Sequence, residues 1–192
     1  MASPPCQLSF GGEFDRKPES RLLFMIRPDG SATSRLMRLM GRLRCEGTML
    51  GRAVEAHRLH ITLHHIGDFS DQTPFSLLRT AEQAAATVKK PPFGVALDRI
   101  VGTRRSLLLR PSDGSPALRA FQRALSVALI KAGLHHHVDP TFSPHVTLSY
   151  DFCDFPERSI EPIIWTVRQF FLIESLLGKH RHIEHNSWPI HA

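Results

Sequence analysis

The stretch His60-Ile61-Thr62-Leu63 recurs 85 positions later as His145-Val146-Thr147-Leu148. Both copies lie in short apolar runs containing β-branched residues, the composition of a half-buried strand. Successive strand side chains alternate faces, so His and Thr two positions apart point the same way. Each phrase therefore sets an imidazole beside a hydroxyl on one sheet face. A single such histidine on a strand is commonly a structural residue; a second copy with the same Thr and Leu offsets favours a functional pair.

Working outward, residues 21–27 read as an opening strand ending at Pro28. A helix starts near residues 29–34, with Leu36, Met37, Leu39, Met40 and Leu43 on one apolar face. The first His-Thr strand is expected over 58–66, with Gly67 and Asp68 ending it, and His60 and His64 sharing a face. Thr73-Pro74 reads as an N-cap hydroxyl followed by proline at the first helical position, with the helix running to Val88 before Pro91 and Pro92. Two strands follow over 94–100 and 106–110, joined by the basic link Gly102-Thr103-Arg104-Arg105. Ser115-Pro116 repeats the N-cap signature, and Leu118, Phe121, Leu125 and Leu129 line a helix that closes at Gly133. A loop over 135–140, the second His-Thr strand over 144–150, one long strand over 165–176 and a last short strand near 181–186 complete the pattern. Each His-Thr strand follows a helix and a loop, so the chain reads as two similar lobes: an α+β architecture of two antiparallel sheets with helices packed outside.

The 192 residues and 42% hydrophobic content support one well-buried domain, expected over 21–192 behind a flexible leader at 1–20. Cys6, Cys45 and Cys153 are odd in number and widely spaced, which suggests neither a disulfide framework nor a cysteine zinc site and fits a reducing, cytoplasmic compartment. The sequence lacks a secretory apolar segment and any run of about 20 apolar residues, so no membrane partner is expected. A net charge of +6, with 19 arginines among 24 basic residues, favours a polyanionic partner, although an arginine-rich source genome accounts for it equally.

The chemistry of the pair follows from its residue types. An imidazole titrates near 6.5, so one ring can accept a proton while its partner, raised by a neighbouring phosphate, donates one. Thr62 and Thr147 are placed to bind the phosphate, as are Arg104 and Arg105 if their link reaches it. Tyr150 is a candidate for stacking on a base, whereas core packing better explains Phe142. Twelve histidines include the groups 57/60/64/65 and 135/136/137. No metal-binding helix motif accompanies them, no metal or other cofactor is expected, and the triple histidine reads as a solvated loop. A phosphate-cradling Gly-x-x-x-x-Gly-Lys loop and a Lys-x-Asp-Gly ligase motif are both absent from the sequence.

With the paired phrases, Arg27-Pro28-Asp29, Ile66-Gly67, Phe142-Ser143-Pro144, Ile173-Glu174-Ser175 and Trp188-Pro189 in hand, the chain resembles the two-histidine (2H) phosphoesterase superfamily, in its LigT-like group of 2′-5′ RNA ligases and RNA 2′,3′-cyclic phosphodiesterases. The resemblance implies a bilobal fold with a central cleft, His60 and His145 as catalytic pair, and Thr62 and Thr147 on the phosphate. It further implies metal-independent opening of a 2′,3′-cyclic phosphate RNA end to a 2′-phosphomonoester, with 2′-5′ ligation as the reverse; a monomer is expected. In hydrolysis His145 would activate water and His60 would protonate the departing 3′-oxygen. Two departures stand out: His65 where the family often has Phe, and Tyr150 where it has a basic residue. A small cyclic nucleotide as substrate, a non-catalytic RNA-binding module and a metal-dependent phosphohydrolase remain as alternatives.

Overall fold

The computed structural model describes residues 16–138, 141–150 and 155–191. Most of the expected leader, with Cys6 and Cys153, falls outside them. Nine strands and three helices are described: β1 (Ser20–Ile26), α1 (Gly30–Cys45), β2 (Arg52–Ala53), β3 (Ile61–Phe69), α2 (Phe75–Ala86), β4 (Phe93–Gly102), β5 (Ser106–Arg110), α3 (Pro116–Lys131), β6 (Val146–Tyr150), β7 (Arg158–Val167), β8 (Gln169–Leu176) and β9 (Arg181–Pro189). The strands form two antiparallel sheets, ordered β3-β1-β8-β9 and β2-β6-β5-β4-β7. The α+β expectation holds, with the helices packed on the outer faces. None of the described helices is long and apolar enough to cross a membrane.

One main core joins both sheets to the helices. Alternate β1 residues Leu22, Phe24 and Ile26 pack with Leu36, Leu39 and Leu43 of α1, Leu107 and Leu109 of β5, and Phe121 and Leu125 of α3. Leu23 and Met25, facing the other way, form a separate small cluster with Ile173 and Phe171. Strand alternation thus sends one β1 face to the core and lays the other as the floor of a concave surface. Helix α1 starts because the Asp29 carboxylate accepts a hydrogen bond from the Ala32 amide at 2.8 Å. Met37, expected on its apolar face, is exposed.

Several boundaries differ from those read in the sequence. The first His-Thr strand starts only at Ile61 and runs on through Gly67 and Asp68 to Phe69; of its expected first residues, Arg58 ends a 3-10 turn, Ala56–Arg58, and Leu59 and His60 link that turn to the strand. Neither expected N-cap hydroxyl caps its helix. Thr73 donates instead to Glu174 at 2.8 Å, and Ser115 sits in a left-handed conformation (φ 53°) with its amide bonded to the Asp113 carboxylate. The expected long strand breaks at Arg168, because β7 pairs with β4 in one sheet while β8 pairs with β1 and β9 in the other. Strand β9 is longer than anticipated. His135–His137 form a 3-10 turn in which His137 donates from Nδ1 to the Ile66 carbonyl at 2.5 Å, fastening the turn to β3; only His135 and His136 are exposed.

Candidate active site

The two phrases share a backbone device. In the β1–β3 register Met25 faces Thr62 and Phe24 faces His64, which leaves Leu63 as an extra residue; in β5–β6 Leu108 faces Thr147 and Leu107 faces Ser149, which leaves Leu148 extra. A β-bulge therefore falls on the leucine of each His-x-Thr-Leu phrase. A bulge inserts one residue and resets the alternation beyond it. His60, Thr62 and His65 share the concave face, while Leu63 and His64 both turn inward, so His60 and His64 do not share a face as expected. His64 is buried and bonds Gln122 and Ser126 of α3 at 3.1 and 3.0 Å. In the second sheet the same reset sets Thr147 and Tyr150 on one face and buries Ser149.

Both motif histidines are held alike. His60 Nδ1 donates to the Arg58 carbonyl at 2.6 Å, and His145 Nδ1 donates to the Ser143 carbonyl at 2.8 Å. A carbonyl can only accept, so each Nδ1 carries the proton and each neutral ring keeps its Nε2 lone pair available. The carbonyl in each case belongs to the residue two positions before the histidine. Burial pushes His60 down to about 4, and the nearby charges of Arg58, His145 and Arg27 act the same way against the opposing bond to Arg58. The two histidines are thus close enough to sense each other's charge. Thr62 and Thr147 are half-buried on the same faces as their histidines.

Three residues that sequence reasoning passed over surround His60. One step beyond the Ile26–Ile61 pair, Arg27 stands opposite His60; it lies over the Phe171 ring and bonds Glu184 at 3.0 Å. Arg110 occupies the matching position beside His145, one step beyond Leu109–Val146. Nε of Arg27, Arg58 and Arg110 is buried without a partner among the described residues. His182 reaches in from β9, its ring 5.5 Å from that of His60 and edge-on at 73°. Its imidazole is held at about 3 by burial first, then by the charges of His60, Arg58, Arg27 and His57. The available signal was the recurrence of histidine at 180 and 182, where the last strand begins.

The two departures from the family pattern occupy equivalent places, each five residues after its motif histidine. His65 bonds Asp68 at 2.6 Å, and Asp68 also takes a paired bond from Arg21, at 2.7 and 2.8 Å, which holds its carboxyl down to about 2. Tyr150 is 55% exposed and pairs with Arg52 and Ser106 in the backbone register. Arg104 and Arg105 are exposed at the β4–β5 turn, beside the Tyr150 end of β6 and away from His145. Phe142 packs against the main core with Arg119 over its ring. The remaining clustered histidines go separate ways: His57 lies 3.6 Å from Glu55, and no trio of described His, Cys, Asp or Glu side chains is arranged around a metal position.

Comparison with known proteins bears directly on this arrangement. No curated protein sequence matches the chain significantly. Among solved structures, Escherichia coli LigT in its apo form is similar with a TM-score of 0.74 at 20% identity, over 92% of this chain and 100% of that one. A structure described as a phosphoesterase aligns with a TM-score of 0.72 at 20% identity, over 90% and 99%. A protein of Thermus thermophilus gives 0.71 at 18% identity, over 88% and 97%. These similarities establish the fold. The family model of the 2′-5′ RNA ligase superfamily matches residues 28–179. That span holds both His-x-Thr phrases, both bulges and the strands that bear them, and the chain accordingly belongs to the 2′-5′ RNA ligase superfamily.

Proposed function

We propose that the protein opens 2′,3′-cyclic phosphates at RNA ends by acid–base catalysis between His60 and His145, without a metal. The observation that carries this reading is the matched suspension of the two imidazoles: the same bulge, the same carbonyl two residues back, and the same free Nε2. One ring accepts a proton from water while the other donates to the departing oxygen, a division that supplies a rate factor of about 10²–10⁴. In the reaction a water oxygen bonds to phosphorus, the bond from phosphorus to the 3′-oxygen breaks, and the 3′-oxygen leaves as a hydroxyl. Thr62 and Thr147 hold the non-bridging oxygens, and Arg27 and Arg110 supply the charge that Tyr150 cannot. Arg104 and Arg105, at the far end of β5, act on flanking RNA rather than on the reacting phosphate.

The electrostatics favour the opposite role assignment from the one the resemblance implied. A half-buried imidazole flanked by Arg58 and Arg27 and held at about 4 is neutral near pH 7. His60 is then the base that activates water, and His145 the acid that protonates the 3′-oxygen. Chelator-treated protein incubated with a 2′,3′-cyclic phosphate oligoribonucleotide should yield a 2′-phosphomonoester, and His60→Ala or His145→Ala should each remove that turnover while leaving the fold intact. Undiminished turnover in both variants would falsify the mechanism.

A further inference from the structure

Beside His60, on the side of the cleft away from the main core, lies a concentration of hydrogen-bond donors with too few acceptors. His180, in the turn between β8 and β9, meets the guanidinium of Arg52 at 2.7 Å through Nε2 and that of Arg58 at 3.0 Å through Nδ1. A neutral imidazole offers one lone pair and one N–H, so it can accept from only one of them. The other contact sets donor against donor. His182 Nδ1 and Arg58 Nε are buried without partners among the described residues. The carboxylates at hand are Glu55, 3.8 Å from Arg52 and 3.6 Å from His57, and Glu184, which pairs with Arg27. Three guanidiniums and four imidazoles, those of His57, His60, His180 and His182, thus share two carboxylates.

The backbone at the turn adds a second observation. His180 has φ 52°, a left-handed conformation that strains a residue with a Cβ where glycine would be free. Gly178, two positions earlier, takes such a φ without that strain. The strained backbone at 180 delivers an imidazole from one sheet against Arg52, on the edge strand of the other. What would satisfy the surplus is a group with several acceptor oxygens and negative charge, which is the chemistry of a phosphate.

We propose that Arg52, Arg58, His180 and His182 form a second anion subsite, which takes a non-reacting phosphate on the 5′ side of the nucleotide whose cyclic phosphate lies between His60 and His145. The position follows from nucleotide chemistry: a cyclic end uses both its 2′- and 3′-oxygens, so a further phosphate on that nucleoside sits on the 5′-oxygen. The Arg58 carbonyl orients His60 and its guanidinium faces His180, so a single residue joins the two phosphate positions. The subsite gives the cleft a preference for a polynucleotide end, or a 5′-phosphorylated nucleotide, over a cyclic mononucleotide with a free 5′-hydroxyl. The proposal rests on the cleft function stated above and deepens it.

Binding of adenosine 2′,5′-bisphosphate and adenosine 2′-monophosphate, measured by calorimetry at fixed ionic strength, tests it without requiring turnover. The wild-type protein should hold the bisphosphate about tenfold or more tighter, the scale of charge-assisted hydrogen bonds. The doubly substituted protein Arg52→Gln/His180→Asn should bring that ratio close to one; asparagine tolerates the left-handed backbone, and a thermal melt checks that the variant is folded. Equal affinity for the two ligands in the wild type overturns the subsite, as does a ratio that survives the double substitution. Turnover of cyclic-phosphate nucleosides with and without a 5′-phosphate forms a separate arm. Absence of turnover on both, with the binding ratio intact, breaks the catalytic reading and leaves the anion subsite standing.

Discussion

The rings of His60 and His182 approach to 5.5 Å although His60 immediately precedes β3 and His182 lies on β9, the two outer strands of one four-stranded sheet. In a flat sheet three strand spacings of roughly 4.8 Å would separate these strands, before any displacement along them. The displacement is considerable: Arg27, just past β1 and opposite His60, and Arg21, opposite Ser175 and through it His182, are six residues apart along the chain. Only a strongly curled sheet brings the two imidazoles together. The curl turns the second face of β1 into the lining of a cleft and carries the β8–β9 turn to the edge of the other sheet.

The protonation of His60 is the first quantity to measure. Its ring resonances should titrate at about 4 in the free protein, against 6.5 for an ordinary histidine. If His60 is the base, kcat/KM should rise with its deprotonation, so the acidic limb of the profile should lie near 4. An acidic limb near 6.5 that is unmoved by substitutions at Arg58 would reverse the assignment of base and acid.

Stability should weaken on mild acidification. His60 at about 4 and His182 at about 3 bind protons less readily in the folded chain than in the unfolded one, so unfolding takes up protons as the pH drops. Their contribution is present above about 6.5 and is lost progressively as the pH falls toward 4 and 3. Asp68, at about 2, is also depressed, and its contribution is present above about 4 and is lost as the pH falls toward 2. Urea midpoints at pH 7, 5.5 and 4.5 should decline in that order; a flat series would contradict the buried, neutral state of both imidazoles.

Substitution should separate His60 from His64, four residues on. His64→Leu removes the partner of Gln122 and Ser126 inside the core and should cost about 1–3 kcal/mol of stability with turnover retained. His60→Ala should do the reverse, losing turnover at little cost in stability. Paired denaturation and single-turnover measurements decide between this division and a shared face.

Arg27→Met retains most of the aliphatic stem over Phe171 and removes the charge. The His60 titration should move upward, because the Arg27 charge helps depress it, and kcat/KM should fall by about tenfold or more. Arg110→Met tests the equivalent position beside His145. Wild-type kinetics in both would return the burden of phosphate charge to residues elsewhere in the cleft.

What could be read in the sequence was whatever repeats locally. The two phrases, the apolar periodicity of α1 and α3 and the α+β class all rest on neighbouring residues, and the structure agrees with them except at Met37, which is exposed. The bulges could not be read, because nothing in the composition of Leu63 or Leu148 distinguishes a bulged leucine from a regular one; the partner strand decides the register. The break at Arg168 was hidden for a similar reason: 165–176 has no proline or glycine to end a strand, and its division depends on which sheet claims each half. Arg27, Arg58 and His182 come together only through sheet curvature, and Thr73 was drawn from helix capping by Glu174, 101 residues away.

The single residue Arg168, between strands that belong to different sheets, has a consequence for how the protein comes into being. Both flanks of β1, the strand at the centre of the first sheet, are occupied by strands distant in sequence from one another: β3 soon after it, and β8 beginning only at Gln169. During synthesis the first motif histidine leaves the ribosome more than a hundred residues before the strand that completes its sheet. Until β8 and β9 arrive, β1 presents an open apolar edge, and neither His182 nor the turn bearing His180 can reach His60. Assembly of the cleft is thus a closing event of folding, dominated by contacts remote along the chain, and a ribosome-bound fragment ending before Gln169 would carry both His-x-Thr phrases without a finished place to use them.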